Sequence, residues 1–553
     1  MKFPKLLFFF LLISPFNNLF SSPYDMIPVG DPVLEDILYL SLESKQPFLS
    51  FTPPLAPHEI RIFLDSIEIS ELSPPAQEAY ERIKNRLNFN APIYLSGDNF
   101  ILSLNVISTL ETRVRFNDSI SWLPVNSKIP AVLSLPLRFS FADSLQLYVE
   151  PMFAVDPEYY KPSGYVAHNV PLELSKTDQN FPLRAYIALG DSWWNFQLGR
   201  DRISYGTGKT GNLAISDNPS FYDFARLSFF SDFFKYSFLV SQMPLDIREN
   251  NAGADILDRS SSAETTNLDR TNQRFLYVHR IDFTLFDILS ISITEGVMAG
   301  NSALEIRYLN PLIIFHSLYS FWNYPKWDGG VNYGEEGDDS GDMNGSLFSL
   351  EFNWNVVKSF SIYGQFVMNQ IATPYKIDKW GAQPNGMGYL AGARYSNSIN
   401  GWGSVFYLEF IYTDPYLYMN PSPFASLIHM RYLGIAPQRF EYSFIGYQRD
   451  TIAAAFGADF FNGDFIYLSG LFTWLLQGKH GIQWNWDNPN AYEEKTPSEN
   501  AQNSLAASFG ARWKFNQRFT LKGAVSAIVT FKNYDNNSGV FGGQAMLSLN
   551  FQY

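Results

Sequence analysis

From about Phe100 onward the chain alternates between apolar and polar residues with a period of two. Leu102, Leu104, Val106, Leu110, Val114 and Phe116 are interleaved with Ser103, Asn105, Thr109, Glu111, Arg113 and Arg115. Near the other end, Phe509, Ala511, Trp513 and Phe515 alternate with Ser508, Gly510, Arg512 and Lys514. Phe519, Leu521, Val525, Ala527, Val529 and Phe531 then run against Thr520, Lys522, Ser526 and Thr530. The last ten residues put Ala545, Leu547, Leu549, Phe551 and Tyr553 on one face and Gln544, Met546, Ser548, Asn550 and Gln552 on the other. Successive side chains of a strand point to opposite faces, so each stretch predicts a strand with one apolar and one polar face. An Arg or Lys facing lipid at mid-depth costs on the order of 2–4 kcal/mol. The charged positions are therefore assigned to the inside of a closed wall and the apolar ones to its outside.

Short and long connections alternate between these strands. Tight turns are predicted at Ala142-Asp143-Ser144, Gly190-Asp191-Ser192, Ser231-Asp232, Phe286-Asp287 and Asn516-Gln517. Long polar stretches are predicted at about 156–180, 203–220, 244–272, 319–345 and 477–503. Transmembrane barrels have short periplasmic turns and longer extracellular loops, so the long set is expected outside. Roughly 460 residues at about 25 per strand and connection predict 16–20 strands, with 18 the expected number because bacterial barrels have even counts. The predicted fold is all-β and transmembrane, a large antiparallel outer-membrane β-barrel over residues 91–553 with a small N-terminal α-helical region.

Before the barrel the pattern changes. Residues 1–22 carry Lys2 and Lys5 and then an apolar run from Leu6 to Ile13, a secretory signal too short to span a bilayer. Residues 23–90 shift to a period near 3.6. Asp31 as N-cap with Pro32 at the first helical position opens a helix over Val33 to Leu42, Pro57 opens a second with Ile60, Phe63, Leu64 and Ile67 on one side, and Ser73-Pro74-Pro75 caps a third that ends near Leu87. This region is expected to be a periplasmic helical domain or a plug. His58, in a first turn, is expected to be solvated.

Composition agrees with a barrel. Apolar residues make up 46% but mean hydropathy is −0.12, so they are dispersed and not gathered into spans. The 49 Phe, 32 Tyr and 12 Trp suit the aromatic girdles of a membrane-spanning sheet. A net charge of −14 argues against a nucleic-acid partner. The absence of cysteine excludes disulfides, thiolate metal sites and a Cys nucleophile.

Segments 544–553, 196–202 (Phe-Gln-Leu-Gly-Arg-Asp-Arg, before a Gly-rich loop), 304–311 (Leu-Glu-Ile-Arg-Tyr-Leu-Asn-Pro), 341–344 leading into 350–354 and 362–366, and 408–416 carry a resemblance. The first resembles the C-terminal assembly signal of outer-membrane barrels, which implies the barrel-assembly machinery as a partner. The others, in their shared order, resemble the Wzi-like capsule-assembly family of outer-membrane proteins. That resemblance implies a barrel in the outer membrane of a Gram-negative-type bacterium, with its helices in the periplasm and its lumen blocked by side chains and those helices. It further implies a non-enzymatic role in binding, anchoring or organising surface polysaccharide. Outer-membrane lipid and a lipopolysaccharide-like glycolipid are the other expected partners.

Candidate chemistry lies in loops and lumen. Trp322, Tyr324 and Trp327, among hydrogen-bonding neighbours, suit stacking on pyranose faces. Asp338, Asp339 and Asp342 offer oxygen ligands for Ca²⁺, the one cofactor considered, against a plain reading as a solvated acidic loop. Arg200, Arg202 and Arg307 offer guanidinium forks to acidic sugars or a lipid phosphate, or pair with carboxylates such as Glu305 and Glu409. Six histidines stand in no nucleophile or metalloprotease motif, so catalysis is not expected; His279 and His316 read as structural. The alternative function is a porin or selective channel, with Arg113, Arg115, Arg512 and Lys514 as a basic ladder for anionic solutes.

Overall fold

The structure, a computed structural model, describes residues 24–88, 91–117, 129–156, 166–178, 182–243, 273–300, 304–310, 312–315, 344–371, 385–419, 425–429, 431–432, 449–478, 495–498, 500–532 and 539–553. The signal region therefore lies outside the described residues. Among them, no helix is long and apolar enough to cross a membrane.

One antiparallel sheet of 23 strands forms a closed barrel. Its seam pairs Val540–Gln552 with Ile107–Phe116, from Gly543 opposite Phe116 to Gln552 opposite Ile107. The faces fall as the alternation predicts. On the final strand Phe541, Leu547 and Leu549 are exposed, whereas Gln544, Met546 and Ser548 are buried inside. Phe509, Trp513, Phe519, Val525 and Phe531 are likewise exposed on neighbouring strands.

The sheet counts 23 strand segments against the 18 strands expected, and most of the difference has a covalent cause. The segments Leu133–Ser134 and Leu137–Phe141 are separated at Pro136, and Leu145–Val149 and Met152–Phe153 at Pro151. A proline has no N–H to give to the ladder. Their carbonyls instead accept from Asn105 at 3.0 Å and Leu135 at 2.8 Å, which also divides Phe100–Leu104 from Ile107–Phe116. Two short additions, Ile93–Ser96 and Val166–His168, pair beside these broken strands.

Tight turns occur where predicted, and two use left-handed residues: Ala142 (φ 47°) and the pair Phe286 and Asp287 (φ 54° and 56°). The N-terminal region forms α1 (Val33–Ser44), α2 (Pro57–Asp65) and α3 (Pro74–Leu87). Two cap readings are corrected. Pro32 is itself the N-cap of α1, with the Asp31 carboxylate accepting from the Val33 N–H at 3.1 Å. Ser73 makes no side-chain cap; its hydroxyl donates to Glu43 at 2.7 Å. The three helices share an apolar core of Ile37, Leu40, Ile60, Ala76, Ala79 and Ile83.

Candidate functional site

Two segments fill the barrel from opposite mouths and meet inside it. The first is the N-terminal region, held at the short-turn end, which is the periplasmic end in such barrels. Glu43 accepts from Ser359 at 2.9 Å and Ser396 at 2.6 Å, and Lys358 donates to the Glu71 carbonyl at 2.6 Å. Deeper in, Lys235 reaches Glu59 at 2.5 Å and the Thr52 hydroxyl at 2.9 Å, with both charged side chains almost wholly buried. Arg226 donates to the carbonyls of Thr52 and Pro54, and Ser50 donates to Asp282 at 2.9 Å. Asp282 also takes Arg280, whose other nitrogens bind Glu351 at 2.7 and 3.1 Å.

The second is the connection over 202–221, and here an expectation is overturned. The stretch 203–220 was expected outside with the other long loops, but it folds into the lumen. Ile203, Tyr205, Leu213, Ala214 and Ile215 are buried against Leu276, Val278, Met298, Leu347 and Val367 of the wall. Transfer of such side chains out of water drives the inward fold. At the loop's tip the N–H groups of Lys209 and Thr210 donate to Glu409 at 2.6 and 2.9 Å, and the Tyr363 hydroxyl adds a third donor at 2.5 Å. The Lys209 ammonium lies 2.7 Å from Asp459 on the wall and 3.4 Å from Glu35 on α1. The two segments also bond directly: Ser204 N–H to the Pro53 carbonyl at 3.1 Å, and Gly206 N–H to that of Phe51 at 2.9 Å. Gly206 has φ 119°, and a Cβ there would fall 1.7 Å from the Gln365 amide, so no other residue fits.

A cavity of about 450 Å³ remains between α1, α3 and the wall around the seam. Several of its charges are held in pairs. Arg82 grips Asp36 with bonds of 2.6 and 3.0 Å, Arg113 lies 2.7 Å from Glu111, and Arg184 spans Glu150 at 3.3 Å and Asp201 at 2.8 Å. The expected basic ladder is thus not free. Arg115 donates to Gln544 at 3.2 Å, Lys514 pairs with Asp464, and Arg512 lies 4.9 Å from the Tyr467 ring.

The three candidate arginines are not brought together. Arg200 faces outward and binds Asp223 through two bonds of 2.7 and 2.8 Å while stacking 3.9 Å over Phe221. Arg202 turns inward and donates to the Val29 carbonyl at 3.0 Å, beside the cavity. Arg307 lies on a connection and pairs with Glu305 at 2.5 Å, the carboxylate alternative considered for it. Glu409, its other candidate partner, is taken by Lys209, Thr210 and Tyr363. Trp322, Tyr324, Trp327, Asp338, Asp339 and Asp342 lie outside the described residues, as does His316. Sequence reasoning passed over Lys209, Lys235, Glu59 and Arg280. The available signal was the period: charged residues at inward positions of otherwise apolar strands, and a Gly-Thr-Gly-Lys-Thr-Gly tip followed by apolar side chains.

Two groups of the N-terminal region are set by their surroundings. Burial would raise the Asp25 carboxyl, but Arg138 and Arg86, bonded at 3.1 and 2.7 Å, hold it at about 2. His58, expected solvated, instead lies with its ring 5.8 Å from that of Tyr24, tilted by 37°, and burial followed by the nearby Arg61 lowers it to about 4. Both shifts are depressions, so the stability each contributes is complete above its ordinary value, 6.5 for the histidine and 3.8 for the aspartate. It is lost as pH falls through 6.5 towards about 4 for His58, and through 3.8 towards about 2 for Asp25. Acidification is therefore expected to loosen this region in two steps, read as protease sensitivity near Lys45; His58→Gln should remove the upper step alone.

These features define a class, an outer-membrane β-barrel whose lumen is filled by its own chain. The family model for capsule assembly protein Wzi matches residues 125–426, more than half of the sequence. The chain belongs to the Wzi capsule assembly family. Among solved structures it is similar to Wzi of Escherichia coli, described as a carbohydrate-binding β-barrel involved in group 1 capsule assembly. The two are 15% identical with a TM-score of 0.56, covering 95% of this chain and 99% of that one. OmpT of Vibrio cholerae (10% identity, TM-score 0.33, covering 83% and 100%) and OccAB1 of Acinetobacter baumannii (6%, 0.40, 82% and 96%) are more distant. No curated protein matches the sequence.

Proposed function

We propose that this barrel holds surface polysaccharide at the outer membrane during capsule assembly and catalyses no reaction. The observation that carries the reading is the lumen: many of its inward charges pair with one another or fix two segments of the chain, which leaves the outer loops as the place for a ligand. Family membership and the carbohydrate binding described for the E. coli barrel support it. In this reading Trp322, Tyr324 and Trp327 form the stacking surface, and Asp338, Asp339 and Asp342 bridge anionic chains through Ca²⁺. The helical region serves the periplasmic mouth, and residues 544–553 engage the barrel-assembly machinery.

Changing the three aromatics together to Ala is expected to abolish binding of cognate capsule by the refolded protein and to release capsule from cells, with barrel folding intact. Unchanged binding would remove this loop from the proposal. The porin reading makes the opposite prediction in planar bilayers: large, steady single-channel steps from the wild-type protein would favour it, and a silent baseline supports the polysaccharide role.

A further inference from the structure

On the strand Arg274–Leu285, Leu276 and Val278 point into the lumen core, so Tyr277 and His279 point outward to the membrane. Yet these two are only 0% and 8% exposed. The cover is the connection after Leu289–Gly300, whose residues 304–310 and 312–315 return along the outside of the wall. The Tyr308 ring lies 4.9 Å from Tyr277 and the Phe315 ring 4.1 Å from His279. Glu305 N–H donates to the Tyr277 hydroxyl at 2.9 Å, and Phe315 N–H donates to Glu295 at 2.8 Å. His279 and Glu295 are cross-strand partners near the middle of their strands. The returning segment thus screens an ionisable pair that the apolar layer would penalise.

The other side of this segment is bare. Leu304, Ile306, Leu312 and Ile314 are 49%, 82%, 89% and 67% exposed. Hydrocarbon tolerates irregular backbone only where its polar groups are satisfied. Here the N–H groups of Tyr308, Asn310 and Ile313 donate to the carbonyls of Glu305, Arg307 and Asn310, and that of Leu312 to the Asn310 side chain. The paired Arg307 guanidinium, 29% exposed, lies 4.9 Å over the Tyr308 ring on the same segment.

We propose that residues 304–310 and 312–315 form a docking site for a phosphorylated glycolipid of the outer leaflet. Its acyl chains lie against Leu304, Ile306, Leu312 and Ile314, and Arg307 faces the headgroup phosphate. Position argues for lipid: the segment covers the wall near the long-connection ends of its strands, and its bare face continues the apolar surface of Ile293, Leu350 and Phe352. Size argues the same way, since four side chains fall short of the roughly 20–30 residues a side of a stable protein interface. A guanidinium suits phosphate because its donors form a planar fork. The site is separate from the polysaccharide reading, and either can fail alone.

The sequence has no cysteine, so Ile306→Cys and Leu312→Cys each take a single spin label in the full refolded chain. In nanodiscs of phosphatidylcholine with lipopolysaccharide, both labels are expected to be relaxed by oxygen and shielded from a soluble nickel chelate. Leu547→Cys on the wall and Phe286→Cys in a short turn supply the lipid and water references. Arg307→Ala is expected to lower the lipopolysaccharide carried through detergent exchange about fivefold, the effect of one arginine at an anionic surface, while phosphatidylcholine is retained as before. Labels open to the nickel chelate, or dipolar coupling between labels on two barrels, would overturn the lipid assignment. Unchanged lipopolysaccharide retention in Arg307→Ala would overturn the phosphate contact.

Discussion

Lys235→Met is expected to weaken the seat of the N-terminal region by about 3–5 kcal/mol, because it leaves the Glu59 carboxylate buried without its cation. Glu59 is 8% exposed, and its carboxylate otherwise accepts from the Ala56 N–H at 3.1 Å, at the N-cap of its own helix. The pair as a whole contributes far less than its broken half costs, since both charges were dehydrated to form it. Glu59→Leu added to Lys235→Met should therefore restore most of the loss. Limited proteolysis of α1 to α3, followed with urea, would measure each corner of this double-mutant cycle. A single variant as resistant as wild type would mean that Lys235 does not seat the helices.

The second large effect is electrical. A wall of this circumference encloses an aqueous channel unless something fills it, and here the filling comes from residues 24–88 and 202–221. Replacing 203–220 with a short turn and deleting 24–90 together is expected to convert a silent barrel into one with large, steady conductance steps. Either change alone should give smaller, unsteady currents, because each segment would lose its partner at Phe51, Pro53 and Lys209. Heat-modifiable migration in gels would verify that the altered chains still form barrels. Silence in the doubly altered barrel would show that the remaining wall side chains close the lumen.

The wall was legible in the sequence because its two faces meet different solvents: every inward Arg or Lys and every outward Phe or Trp reports the same register. The seam and the turns followed for that reason. The strand breaks at Pro136 and Pro151 were equally visible, but a count based on average length per strand passes over them. The loop 203–220 was misplaced because length alone sent it outside. Its content of Ile203, Tyr205, Leu213 and Ile215 spoke for an interior, which a rule about loop length does not weigh. His58 was misplaced for a similar reason, since its first-turn position says nothing about the Tyr24 ring beside it. The Lys209, Glu409 and Asp459 cluster could not be seen at all, because it joins residues some two hundred positions apart. His279 read as structural from its place on a strand, but nothing in the pattern said that residues 304–310 and 312–315 would come back to cover it and Tyr277.

The hydrogen bonds that complete the cylinder join Ile107–Phe116 to Val540–Gln552, partners from nearly opposite ends of the polypeptide. Until they form, the growing sheet has two raw margins able to recruit any passing strand. Contacts so remote in sequence are also slow to find by diffusion. Closure of this last ladder is therefore the step at which an unfinished barrel is expected to be most open to mispairing, and shielding those margins is expected to raise the yield of the closed form.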